Sequence, residues 1–163
     1  MQIRPYTVGT RYFDARPVTA TDPGYDDDVW CILTGLKVQP GNYTCVAWRG
    51  RDSWKGSDGK RHSCTRTMVC AIYLDGKIPT PEEWNNMPVI GSIGVDAGMA
   101  GFFQEKPNYD RDAWFELCDK LHNKTWLITD EGFFTNSGYG DGSYDVCGIK
   151  NAEGLFTALE IRF

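Results

Sequence analysis

Hydrophobic positions along this chain fall in short runs broken by glycine, proline, asparagine and aspartate. Such punctuation predicts antiparallel strands joined by tight turns. Ile3 to Tyr12 mixes apolar and polar residues and reads as a first strand. Val18 to Ala20 is a short β-prone run that leads into the turn Asp22-Pro23-Gly24. Val29 to Leu36 is rich in β-branched and aromatic residues. Gln39-Pro40-Gly41-Asn42 separates it from a strand over Tyr43–Trp48, and a strand over Thr67–Leu74 closes at Asp75-Gly76. Toward the C-terminus, strands over Phe133–Tyr139, Tyr144–Lys150 and Leu155–Phe163 are joined by Gly140-Asp141-Gly142-Ser143 and Asn151-Ala152-Glu153-Gly154. Both joints read as hairpin turns, with Tyr139 and Tyr144 close together across the first. Leu155, Thr157, Leu159, Ile161 and Phe163 alternate, which predicts a half-buried strand.

Two segments carry helical signals. Thr80-Pro81-Glu82-Glu83 is a capping box with proline at the first helical position, and Pro88 keeps that helix short. From Asp110 to about His122, Trp114, Leu117, Cys118 and Leu121 form one apolar stripe opposite Asp112, Glu116, Asp119 and Lys120. The pattern predicts one α+β domain over residues 1–163. It is mainly an antiparallel sheet, curled into a sandwich or open barrel, with one main helix packed on it and one short helix. The expected core holds Trp30, Ile32, Val46, Val69, Ile72, Trp114, Leu117, Leu121, Leu159 and Ile161.

Composition narrows the function classes. Of 163 residues, 41% are hydrophobic and 24% charged, which excludes a disordered or coiled-coil chain. No apolar run reaches about 18 residues, so no membrane-spanning helix is expected. Met1 to Tyr6 has no apolar core and does not read as a signal peptide, so a cytoplasmic setting is expected. The net charge of -5 argues against general nucleic-acid binding. Of the six cysteines, Cys31, Cys45 and Cys70 lie inside apolar runs, where free cysteine acts as a small hydrophobe. No disulfide framework is expected. His62, Cys64 and Cys70 match no common zinc spacing. Ser-His-Asp, phosphate-loop and zinc-protease signatures are absent, so no catalytic residue is assigned.

Three aspartate turns follow one another: Thr21-Asp22-Pro23-Gly24-Tyr25, Gly94-Val95-Asp96-Ala97-Gly98 and Gly138-Tyr139-Gly140-Asp141-Gly142-Ser143-Tyr144. With the terminal strand ending in Phe163, their order resembles a group of bacterial and phage proteins classed as a domain of unknown function. That group is marked by Asp-Pro-x-Tyr, Val-Asp-Ala-Gly and Gly-Asp-Gly-x-Tyr turns. The resemblance runs from about Thr21 to Phe163. It implies a compact β-rich domain of bacterial or phage origin and no particular activity. Gly24 stands where that group often carries cysteine, which counts against a thiol role.

From the residues themselves, the aspartates support two readings. Each can hydrogen-bond its own turn. Brought together, Asp22, Asp96 and Asp141 would hold Mg²⁺ or Mn²⁺ for a divalent-metal-dependent hydrolase. Val95 and the run from Ala97 to Phe103 are apolar and glycine-rich, which predicts a buried, architectural Asp96. A different signal lies between Arg49 and Arg66. Six basic residues (Arg49, Arg51, Lys55, Lys60, Arg61, Arg66) against Asp52 and Asp58 give this stretch +4, leaving about -9 elsewhere. With Trp48 and Trp54 beside them and Gly50, Gly56 and Gly59 between, the stretch reads as a long hairpin loop. Such a loop either simply balances the acidic body or holds phosphate and stacks a base. The expected ligand is small and anionic, nucleotide-like, held by Trp48, Arg49, Arg51, Trp54, Lys60 and Arg61 without a cofactor. The remaining alternative is an interaction module for a host or bacterial protein partner.

Overall fold

The computed structural model describes residues 1–24, 31–104, 110–122 and 125–163, with the helix over 111–122 described at Trp114, Cys118, Leu121 and His122 by its backbone alone. The chain is mostly antiparallel β, in two sheets, with little helix. The first sheet has the order β1(Ile3–Phe13), β4(Gly41–Lys55), β5(Arg61–Leu74), β11(Phe156–Arg162), β10(Gly142–Lys150), β6(Val89–Val95). The second has the order β3(Leu33–Leu36), β2(Val18–Thr21), β7(Met99–Phe103), β9(Gly132–Asn136), β8(Trp126–Ile128). Two short helices, α1(Pro81–Asn86) and α2(Arg111–His122), complete the described elements.

Alternation places one face of each sheet in a shared core. Phe13, Tyr43, Cys45, Ile72, Leu159 and Ile161 of the first sheet pack with Ala20, Phe102 and Phe133 of the second. The sandwich is held together at both sides. Ile128 of β8 lies over Gly9, and Arg11 donates from Nε to Thr129 O at 3.2 Å. At the opposite side Leu33 of β3 lies over Gly91 of β6. Leu117 of α2 is buried with Met99, Phe103 and Phe134.

β11 is more buried than its alternation predicts. It is flanked by β5 and β10, and both of its faces are covered. On the outer face, Val46, Val69, Ala71, Tyr73 and Ala158 form a second cluster with Trp48 and Trp84. Glu160 is fully buried there. It accepts from Tyr73 Oη at 2.6 Å and from Arg162 Nε at 2.8 Å. Trp48 Nε1 donates to Tyr73 Oη at 2.8 Å. Arg162 also donates to Trp84 O at 2.7 Å and lies 4.0 Å from that indole ring, tying α1 to the sheet. The predicted capping box holds α1 at its other end: Glu83 N donates to Thr80 Oγ1 at 3.2 Å and Thr80 N to Glu83 Oε2 at 2.8 Å.

Several expectations are corrected. The stretch from Arg49 to Arg66 is not a loop: it continues β4 and β5, and only residues 56–60 turn. Gly140–Ser143 is not a hairpin. β9 and β10 belong to different sheets, and the turn lies at Ser137–Gly140. Tyr139 meets Arg66, and Tyr144, whose Oη donates to Gly140 O at 2.9 Å, packs edge-on to Phe163. Ile32 is half-buried rather than core. Trp30 and the side chains of Trp114 and Leu121 lie outside the described residues. β6, β7 and β8 carry no strong sequence signal and were not expected. No described helix is long and apolar enough to cross a membrane.

Burial raises the Glu160 carboxyl above its ordinary range, while Tyr73 and Arg162 pull it back. An acid raised in the folded state stabilises most below its unfolded pKa, and that contribution is lost as pH climbs through the folded value. Arg162→Ala leaves the carboxylate buried without its cation. It is expected to cost about 3 kcal/mol at pH 7. The cost should shrink toward pH 4, where Glu160 is protonated in both states; urea unfolding at the two pH values measures this.

Candidate functional site: a charged β-ribbon and the turn that seats it

Arg51, Ser53, Trp54 and Lys55 of β4 and Arg61, His62, Ser63 and Thr65 of β5 are all exposed, so this end of the pair projects from the sandwich as a two-stranded ribbon. Its register pairs Arg51 with Thr65, Ser53 with Ser63, and Lys55 with Arg61. The tip is a defined turn: Asp58 accepts from Lys60 N at 2.9 Å and meets His62 Nε2 at 3.1 Å, and Gly59 takes φ +77°.

Period-two alternation sorts the side chains by face. A bulge at Met68 shifts the phase, so Trp48 and Val69 turn outward while Arg49 and Thr67 turn toward the second sheet. The outer face of the ribbon holds Trp54 stacked on His62, with ring centroids 5.8 Å apart. Asp52 on the same face is paired with Arg66 at 3.0 Å. The inner face carries Arg49, Arg51, Lys55 and Arg61. Arg4 stands opposite Arg49 on β1. Arg51 donates to Ser63 Oγ at 2.9 Å and Arg61 to Ser53 Oγ at 3.2 Å. Arg49 donates to Thr65 O at 3.2 Å, while its shielded Nε has no acceptor among the described residues. Among the described residues no ion pair engages any of these five cations. Both ribbon carboxylates are used elsewhere, Asp52 by Arg66 and Asp58 by the tip.

The inner face also has its own aromatics. Arg49 lies 5.8 Å from the ring of Trp126 on β8, and Trp126 stacks on Tyr6 of β1 with centroids 6.2 Å apart. Tyr6 is 49% exposed. The structure thus brings Arg49, Arg51 and Arg61 together and separates them from Trp48 and Trp54. Trp48 lines an outer apolar cleft of about 270 Å³ with Ile3, Pro79, Pro81, Trp84 and Asn85. Lys60 sits in the tip turn. Arg4, Tyr6 and Trp126 were missed because they come from distant strands. For Arg49, Arg51 and Lys55, their odd numbering along one strand was the available signal.

The aspartate turns meet at the base of the ribbon. Asp22, not Asp96, is the buried one. Asp22 Oδ2 accepts from Asp96 N at 2.8 Å and Ala97 N at 2.6 Å, and Oδ1 accepts from Gly24 N at 2.7 Å. Asp96 is exposed and lines a cleft of about 310 Å³ with Ser92 and Ser143. Gly98, at φ +67°, closes the second turn and offers its carbonyl to Ser137 N at 2.9 Å. Ser137 Oγ and Tyr144 Oη both donate to Gly140 O, at 2.6 and 2.9 Å. Gly138 then lies against β5, where a Cβ would come 2.0 Å from Thr67 O. Arg66 donates to Gly138 O at 2.8 Å and lies 5.1 Å from the Tyr139 ring and 5.4 Å from Trp54.

This wiring works against a shared metal. Both Asp22 oxygens face backbone N–H groups, while Asp96 and Asp141 are exposed. Among the described residues no group of three His, Cys, Asp or Glu side chains could hold an ion. Burial raises the Asp22 carboxyl despite its three N–H donors. Its ionised form is therefore a cost that grows as pH rises from the ordinary Asp range through the folded value. Asp22→Asn puts an amide NH₂ against backbone donors and is expected to cost about 2 kcal/mol, or a melting point lower by roughly 4–8 °C. Asp96→Asn is expected to change it by less than about 2 °C, consistent with an exposed site. Thermal denaturation followed by circular dichroism checks both. Comparison with protein-family models, curated proteins and solved structures finds no match for this chain.

Proposed function

We propose that the chain binds a small, nucleotide-like anion on the inner face of the ribbon. Guanidinium groups of Arg51 and Arg61 supply forked donors to phosphate, and Tyr6, backed by Trp126, offers a ring for a base. The observation that carries the reading is the segregation of charge. The ribbon's carboxylates are engaged on the outer face and at the tip, whereas the inner face presents five cations that no carboxylate among the described residues engages. The site differs from the one expected from sequence: Arg49, Arg51 and Arg61 remain, Arg4 and Lys55 join them, and Trp126 and Tyr6 replace Trp48 and Trp54.

The same reading takes α2 as the main helix, laid on the second sheet; the burial of Leu117 against Phe103 and Phe134 supports it. Free Cys45, Cys70 and Cys147, all buried, suit a reducing, cytoplasmic setting. Kinship with the bacterial and phage group of unknown function is part of the proposal, supported by the meeting of its three turn motifs around Asp22 and Ser137.

Titration calorimetry against nucleoside mono-, di- and triphosphates and inorganic phosphate tests the reading. At least one nucleotide is expected to bind, with affinity falling tenfold or more in Arg51→Ala/Arg61→Ala. Trp54→Phe, which keeps a ring beside Arg66, and Lys77→Ala should leave it unchanged. Absence of heat with every compound, or loss in Trp54→Phe alone, would remove the proposal.

A further inference from the structure

We infer that the natural occupant of the inner face is a short single-stranded nucleic acid laid along the ribbon; this rests on the anion-binding reading above and extends it from a mononucleotide to a strand. The cations form a row rather than a cluster. Arg49, Arg51 and Lys55 follow one another on β4, with Arg4 opposite the first and Arg61 opposite the last. Antiparallel strands rise about 3.4 Å per residue, so the row from position 49 to 55 spans roughly 20 Å. One nucleotide engages one end of such a row, whereas an extended phosphodiester chain engages all of it.

The row is also preorganised. Arg51 and Arg61 each lie across the ribbon onto a serine hydroxyl of the facing strand, which fixes the side chain without neutralising it. Each keeps further N–H donors for phosphate. Exposed Tyr6, stacked on Trp126, marks the base of the row, where a nucleobase would stack. The ribbon is held in place from its outer face by Arg66, lodged between Trp54 and Tyr139, so its support does not draw on the inner-face cations. Charge outside the stretch from Arg49 to Arg66 totals about -9. One row of cations matches the phosphates of one strand, and the net negative charge of the rest of the chain disfavours adding those of a second. The occupant is therefore confined to the ribbon, and the chain's overall acidity is compatible with it.

Fluorescence anisotropy with end-labelled thymidylates of one, two, four and eight nucleotides reads the length dependence. Affinity is expected to rise at least tenfold from one to four nucleotides and to level off by eight. Its logarithm should fall against log salt with a slope of about -2 to -3, as for three or four phosphate contacts on a single strand. Arg51→Ala/Lys55→Ala should weaken the octamer at least tenfold. Tyr6→Ala should weaken it at least fivefold, with Tyr6→Phe restoring it, and should not alter competition by inorganic polyphosphate. A self-complementary duplex of the same length should bind more weakly than the single strand. If the mononucleotide binds as tightly as the octamer, the strand inference falls and the small-anion site stands. If Tyr6→Ala binds the octamer unchanged, or the duplex binds best, the single-strand inference also falls. If neither thymidine mononucleotide nor octamer binds, the strand inference falls, and the calorimetric panel alone decides the small-anion reading.

Discussion

A single buried carboxylate fixes how the two sheets are joined. Asp22 ends β2 in the second sheet, yet its oxygens take the backbone N–H groups of Asp96 and Ala97, at the turn where the chain passes from β6 in the first sheet to β7 in the second. Those donors are needed for the turn and would be costly to leave unmade in the interior. Once the second turn is set, Gly98 O receives Ser137 N and positions a later crossing between sheets, from β9 to β10. That crossing seats Gly138 against Thr67 and presents Tyr139 to Arg66 at the base of the ribbon. A chain of short contacts thus runs from Asp22 to the segment proposed to bind anions. The carboxylate acts through position, and its raised pKa is the cost of the burial that makes the position unique.

Strand parity does for the ribbon what a pocket does in other proteins. Because neighbouring residues point to opposite faces, a charge-rich sequence separates into an outer face of paired groups and an inner face of cations that no described carboxylate engages. The bulge at Met68 sets the phase of that separation. It keeps β5 in step with β4, so that Val69 faces outward with Trp48 while Thr67 faces inward with Arg49. Hydroxyls of Ser53 and Ser63 then hold Arg61 and Arg51 at modest energetic cost, since both partners remain close to solvent.

Local chemistry was legible in the sequence and long-range pairing was not. The capping box at Thr80 and the hairpin turn at Asn151–Gly154 depend on residues within a few positions, and both are present. Asp22 and Asp96 look alike in one dimension, each beside flexible turn residues. Which of them is buried depends on strands 74 residues apart in sequence. The ribbon reads as a loop because it is exposed on both faces, so no hydrophobic alternation marks it as strand. Basic residues were visible there, but their aromatic neighbours came from the wrong place. Trp54 is adjacent in sequence and lies on the other face, while Trp126 arrives on a three-residue strand too short to announce itself.

The most direct measurement is a nitrogen–proton correlation spectrum of the six tryptophan indoles and the backbone, recorded while an oligothymidylate is titrated in. Shifts are expected at the Trp126 indole and at amides of Arg49, Arg51, Ser53, Arg61 and Ser63, with the Trp48 and Trp54 indoles nearly still. Shifts centred on Trp48 or Trp54, with Trp126 unmoved, would contradict the assignment of the inner face.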